Sequence, residues 1–142
     1  MDILFTTTQS PLSKAIRGLT EEPVSHCALY QDGWVLHSDL LGVRVEPFSV
    51  FTKRNTILHV LQAPDARELL SLAEKYAGKK YDYLGLLYLG ARYIIRWLPK
   101  ANLWQTTGMF LCTELVTSAI HSEEDSMITP YKLYLKLKKE TL

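Results

Sequence analysis

Asp32 and Gly33 stand between two apolar runs, Ser25 to Tyr30 and Trp34 to Ser38, and this pair constrains the fold more than any other feature of the chain. Asp-Gly accepts the positive φ values of a tight two-residue turn whose twist matches antiparallel strands, so it predicts a β-hairpin. The register then follows: Gln31 faces Trp34, Tyr30 faces Val35, Ala28 faces His37, and His26 faces Asp39. Side chains alternate along a strand, so His26, Ala28, Tyr30, His37 and Asp39 share one face, while Cys27 and Leu29 share the other. Cys27 adjoins His26 in sequence yet reads as a small buried hydrophobe pointing away from it. A three-residue loop would shift the pairing by one and undo this assignment.

The elements around the hairpin are readable from local chemistry. "ILFTTT" is rich in β-branched residues and predicts a first strand. "SPLSKAIRGLT" predicts a short helix with Ser10 as N-cap, Pro11 at the first helical position and Gly18 near the stop. "VRVEPF" and "TILHVLQA" predict two more antiparallel strands. "DARELLSLAEKYAG" predicts an amphipathic helix with Asp65 as N-cap, Glu68 completing a capping box and Gly78 as stop. A more apolar helix is expected from Tyr83 to Leu98, ended by Pro99, and a third through "FLCTELVTSAIHSE". Thr129 and Pro130 mark a final helix or turn start, and solvation of that last element explains its lysines. A block of strands flanked by helices indicates an α+β fold, an antiparallel sheet packed against helices.

The apolar helix is assigned by its stripes. Leu84, Leu87, Tyr88, Ala91, Ile94, Ile95 and Leu98 form one wide face expected to meet the core. Leu86, Leu89, Tyr93 and Trp97 lie off it, and would form a contact surface for protein or lipid if no other element covers them. Arg92 and Arg96 interrupt the run, which falls short of the roughly 20 apolar residues a spanning helix needs, so no transmembrane segment is expected.

Composition narrows the function classes. With 142 residues the chain suits one domain, spanning 1–142, and 47% hydrophobic with 22% charged residues is ordinary for a globular protein. A net charge of +1 offers no field for tracking a phosphate backbone, so nucleic acid is not an expected partner. Two cysteines, Cys27 and Cys112, make no disulfide framework and are expected to be free thiols. The opening "MDILFTTTQS" lacks the basic and apolar segments of a secretory signal, which suggests the cytoplasm, or delivery by a carrier or assembly.

The candidate chemistry centres on a histidine base. His26 has His37 or Asp39 within reach on its own face as an orienting partner, but no nucleophile nearby in sequence. Cys112 follows Gly108 and an apolar step into a helix, which places it in or near a first turn. There the partial positive charge and free amides of the helix favour thiolate. A histidine in reach would complete an activated pair. His59 reads as structural and His121 as a surface residue, while Asp82 and Glu114 read as supports for helix ends. No paired ligand spacing suggests zinc, so neither metal nor cofactor is expected.

The ordered set "DILFTTTQSPLSKAIRGLT", "SHCALY", "VLHSDLLGVRVEPF", "GKKYDYLGLL", "FLCTELV" and "TPYKL" resembles the permuted, YiiX-like branch of the NlpC cysteine-peptidase superfamily, whose relatives include the lecithin:retinol acyltransferase-like proteins. The resemblance covers nearly the whole chain and implies a papain-like, circularly permuted fold in which the histidine strand precedes the cysteine helix. It implies Cys112 as nucleophile, His26 as general base, His37 in the third polar position and Tyr81 as a stabiliser of the oxyanion. The third position departs from the glutamate often found in permuted relatives, which keeps Asp39 as a competitor. The long apolar segment between Tyr81 and Cys112 has no fixed role in the family. The implied activity is hydrolysis of an amide, as in cell-wall peptides. The alternatives are a lipid or thioester acyl-hydrolase or acyltransferase, and a non-catalytic binding or assembly module that keeps the fold.

Overall fold

The two-residue turn forms as the sequence dictates: Asp32 and Gly33 take φ of 50° and 87°, and the register runs Leu29 to Leu36, Tyr30 to Val35 and Gln31 to Trp34. The computed structural model of the protein describes residues 1–63, 66–95, 97, 109–110, 112–120 and 128–141, and for Leu89, Tyr93, Met109 and Phe110 the backbone alone. Its elements in chain order are β1 (Asp2–Thr7), α1 (Pro11–Thr20), β2 (His26–Gln31), β3 (Trp34–Asp39), β4 (Gly42–Pro47), α2 (Phe48–Phe51), β5 (Thr56–Gln62), α3 (Leu69–Tyr76), β6 (Lys80–Tyr81), α4 (Tyr83–Ile94), β7 (Met109–Phe110), α5 (Cys112–Ala119) and α6 (Pro130–Thr141).

The fold is α+β. Five strands form an antiparallel sheet in the order β4-β3-β2-β1-β5, and β6 pairs in parallel with β7 in a separate two-stranded ladder. Alternation gives the sheet two unlike faces. Ile3, Phe5, Cys27, Leu29, Leu36 and Val43 point to one side and close a large core with Leu72, Leu115, Val116 and Leu133 from α3, α5 and α6. Leu4, Ala28 and Val35 point to the other side, where Phe51 of α2 covers them. A bulge where Thr6 pairs with Ile57 and Phe5 with His59 turns Ile57 to the α2 face, while His59 stacks on Tyr134 of α6.

Local chemistry explains most element ends, with corrections. Ser10 caps α1 by accepting from the Ser13 amide, but the helix passes Gly18 and stops where Glu21 takes a left-handed φ of 56°. Helix α3 starts later than expected, at Leu69, with Glu68 in the N-cap position and no side-chain cap, so the capping box does not form; Asp65 lies outside the described residues. The Leu69 amide instead donates to Oε1 of Gln31, a partner from β2 that local sequence cannot reveal. Thr129 caps α6, whose lysines 138 and 139 are exposed. The expected third helix begins only at Cys112, because Met109 and Phe110 are drawn into the ladder with β6. His121 lies outside the described residues.

The largest correction concerns α4. Leu84, Leu87, Ile94 and Ile95, expected in the core, are exposed, while Tyr88 is buried and Leu86, expected outside, packs against Tyr81 and Tyr88. This helix is apolar all round, so its periodicity could not choose a face; contact with α1, where Gly90 meets Leu19, chooses it. Trp97 is exposed, the side chains of Leu89 and Tyr93 are outside what is described, and so are Leu98 and Pro99. Among the described residues no helix is long and apolar enough to cross a membrane.

Candidate active site

Cys112 is the first residue of α5, and α5 lies across β2 and β3. Its amide is therefore one of the unpaired donors at a helix start, and the partial positive charge there favours an anion. The parallel pairing of Tyr81 with Phe110 brings Tyr81 beside it, two residues upstream. Cys112, His26, His37, Asp39 and Tyr81 all line one cavity of about 700 Å³, which is walled further by α1, the β3–β4 turn and the stretch from Thr52 to Thr56.

Tyr81 reaches this cavity because of a close approach at Gly42. Gly42 has φ of 103°, and a Cβ there would stand 2.5 Å from the Lys79 carbonyl oxygen. Glycine alone lets the β3–β4 turn run against the chain leading into β6, where the Val43 amide donates to the Lys79 carbonyl and the Gly78 amide to the Val43 carbonyl. The Tyr83 hydroxyl donates to the Leu40 carbonyl and ties the start of α4 to the same turn.

The histidines form a directed chain. Nε2 of His26 lies 3.2 Å from Nδ1 of His37, and Nε2 of His37 lies 2.9 Å from Oε1 of Glu46. Arg54 Nη2 holds both Glu46 oxygens at 2.5 and 2.7 Å, and Arg44 Nη1 stands 3.9 Å away. His37 is 2% exposed, with the Phe51 ring packed edge-on against it. Burial, with the nearby His26 charge, pushes its pKa from 6.5 down to about 3, so it is neutral at physiological pH. Its one proton must serve the carboxylate, so Nε2–H donates to Glu46 and Nδ1 is left as an acceptor. His26 then donates from Nε2–H to His37. Its Nδ1 is the remaining ring nitrogen, the atom able to take a proton from a thiol and to hold it against the thiolate.

Cys112 accepts hydrogen bonds from His26 and from Cys27. The Cys27 thiol is the larger influence, and together with His26 it outweighs burial and holds the Cys112 thiol well below the usual range. Burial pushes Cys27 up, helped by the negative Cys112 beside it, so Cys27 stays a thiol and donates. Burial likewise raises Tyr81, with the Cys112 charge adding to it, so Tyr81 remains a phenol with a proton to donate.

The sequence-derived candidates Cys112, His26, His37 and Tyr81 are thus brought together. Asp39 is not the partner of His26. Its Oδ2 takes Arg44 Nη2 at 2.6 Å and Nε at 3.2 Å, and its Oδ1 takes the Leu41 amide. Burial opposes its ionisation, but those hydrogen bonds prevail and lower its pKa. Two participants were missed from sequence. Glu46 and Arg54 complete the polar chain, and β4 alternation carried the signal, since Arg44 and Glu46 fall on the His37 side. The contact between Cys27 and Cys112 was missed because it joins residues far apart in the chain across β2 and α5.

Among the described residues there is no group of three or more histidine, cysteine or acidic side chains that could hold a metal ion. Comparisons of the chain with protein-family models, with curated proteins and with solved structures find no match in any of the three.

Proposed function

We propose that this protein is a cysteine hydrolase of permuted NlpC type, working by acyl transfer to Cys112. The observation that carries the reading is the convergence of Cys112, His26, His37 and Tyr81, from four separate segments, on one cavity. The Cys112 thiolate attacks an amide carbonyl, such as one in a cell-wall peptide, and forms a tetrahedral intermediate. His26 holds the thiol proton at Nδ1 and returns it to the leaving amine, while His37 keeps the ring in the useful tautomer. The Tyr81 hydroxyl and the Cys112 amide donate to the oxyanion. Water, activated by His26, then releases the acyl group.

A second reading, hydrolysis or transfer of a lipid or thioester acyl group by the same residues, is favoured by one feature. Leu12, Ile16, Leu40, Leu41 and Leu86 line the cavity together with the polar groups and offer an acyl chain apolar contact. The test is incubation with muropeptides and, separately, with short-chain and long-chain acyl esters, trapping the acyl-enzyme by acid quench and intact-mass measurement. An adduct on Cys112 from one substrate class, absent in Cys112→Ala, supports the hydrolase reading and selects the class. Turnover that persists in Cys112→Ala contradicts it.

A further inference from the structure

Cys27 steadies the Cys112 thiolate but makes no bond and moves no proton in the proposed hydrolysis. The two thiols belong to the same core cluster, Cys27 on the β2 face that α5 packs against and Cys112 at the first position of α5, which makes them neighbours across that contact, and each acts on the titration of the other. Packing alone does not require sulfur at position 27, where alanine or valine would fill a similar space.

The two are unequal in access. Cys112 lines the cavity and is 8% exposed, whereas Cys27 is fully buried and does not line it. A small oxidant in the cavity therefore meets Cys112 and not Cys27. Any thiol reaction of Cys27 has Cys112 as its partner. Both sulfurs are free.

We propose that Cys27 is the resolving thiol of a redox switch, in which a peroxide oxidises Cys112 to a sulfenic acid and Cys27 closes a Cys27–Cys112 disulfide that removes the nucleophile. In the first step the Cys112 sulfur attacks one peroxide oxygen. The O–O bond breaks, the S–O bond forms, and the departing hydroxide takes up the Cys112 thiol proton as water. In the second, the Cys27 sulfur attacks the sulfenic sulfur, the S–O bond breaks, and the Cys27 proton goes to the departing hydroxide as water. The sum is two thiols and one peroxide giving one disulfide and two waters. Sulfenic acids otherwise proceed to sulfinic acid, which thiols do not reverse, so the neighbouring thiol also protects Cys112. Only the consequence, an enzyme switched off, rests on the hydrolase reading; the bond itself does not.

The test treats the full chain with hydrogen peroxide at neutral pH and follows intact mass, thiol count and proteolytic peptides. The wild type is expected to lose about 2 Da, the two hydrogens of an intramolecular disulfide, to yield a peptide joining Cys27 to Cys112, and to regain both thiols with dithiothreitol. Cys27→Ser keeps a hydrogen-bond donor beside Cys112 but cannot form the bond, and should instead gain about 32 Da on Cys112 that dithiothreitol leaves in place. Cys27→Ala provides the same readout if serine is poorly tolerated in the core. Sulfinic acid on wild-type Cys112 with Cys27 still free, or a disulfide between chains only, would overturn the switch. Disulfide formation in a protein that forms no acyl-enzyme supports the switch chemistry while counting against the hydrolase.

Discussion

The two faces of the sheet solve opposite problems with the same strands. On the α5 side, Leu29, Leu36, Leu115 and Leu133 are fully buried and shape alone decides their packing. On the α2 side, a small apolar group around Phe51 surrounds buried His37, Glu46 and Asn55, which must be hydrogen-bonded to be tolerated there. Each has a partner: His37 donates to Glu46, Glu46 also accepts from Arg54, and Asn55 donates to the Phe51 carbonyl and accepts from Thr6. The first face holds α5 in place and the second holds the His26 ring through His37. Cys112 bonds both His26, from the polar face, and Cys27, from the apolar one, at the end of β2 where the faces meet.

If the faces divide labour in this way, substitutions on them should separate chemistry from stability. The largest effect on chemistry is expected from His26→Ala, which should lower turnover by roughly 10²–10⁴-fold with an unchanged melting temperature, measured by steady-state kinetics and calorimetry. Leu115→Ala should do the reverse. It should cost about 2–5 kcal/mol in denaturant unfolding, as expected for a core leucine, and leave the Cys112 alkylation pH profile of the folded protein in place.

Acid should strike the polar face first. His37 has its pKa lowered from 6.5 to about 3 by burial and the His26 charge. Between those values the unfolded chain binds a proton that the folded one does not, so stability present above the higher value is lost as pH falls toward the lower. The slope approaches about 1.4 kcal/mol per pH unit for one proton. Denaturant midpoints across that range should show this contribution, and His37→Phe should remove it. Glu46→Gln is subtler, because glutamine can donate as well as accept and so no longer dictates the His37 tautomer. A loss of about 10–100-fold in turnover with folding retained is expected, and ¹⁵N shifts of the His37 ring should report mixed tautomers. The smallest effect belongs to Asp39→Asn, whose carboxylate is engaged by Arg44; turnover should change by less than about threefold. A collapse of activity in that variant would reverse the assignment of His37 over Asp39.

What the sequence disclosed divides along the same line. The hairpin was legible because Asp32-Gly33 fixes both turn and register, and the register alone sorts His26 and His37 from Cys27. Strands β4 and β5 and the cap of α1 by Ser10 were legible for the same reason, that their determinants lie within a few residues. The Gln31 cap of Leu69, the Arg54 clamp on Glu46 and the meeting of Cys27 with Cys112 were not, because each joins residues distant in the chain. Helix α4 failed differently: its apolar residues lie all round, and only contact with α1 and Tyr81 decides which of them are covered.

One measurement bears most directly on the dyad: the rate of alkylation of each cysteine by iodoacetamide across pH, read by peptide mass mapping in the wild type and in His26→Ala. Cys112 should label selectively, already at neutral pH, and in His26→Ala should slow and need a more alkaline medium, toward the ordinary thiol value of about 8.5. Equal labelling of Cys27, or a Cys112 profile indifferent to the loss of His26, would contradict the pairing of this thiol with this base.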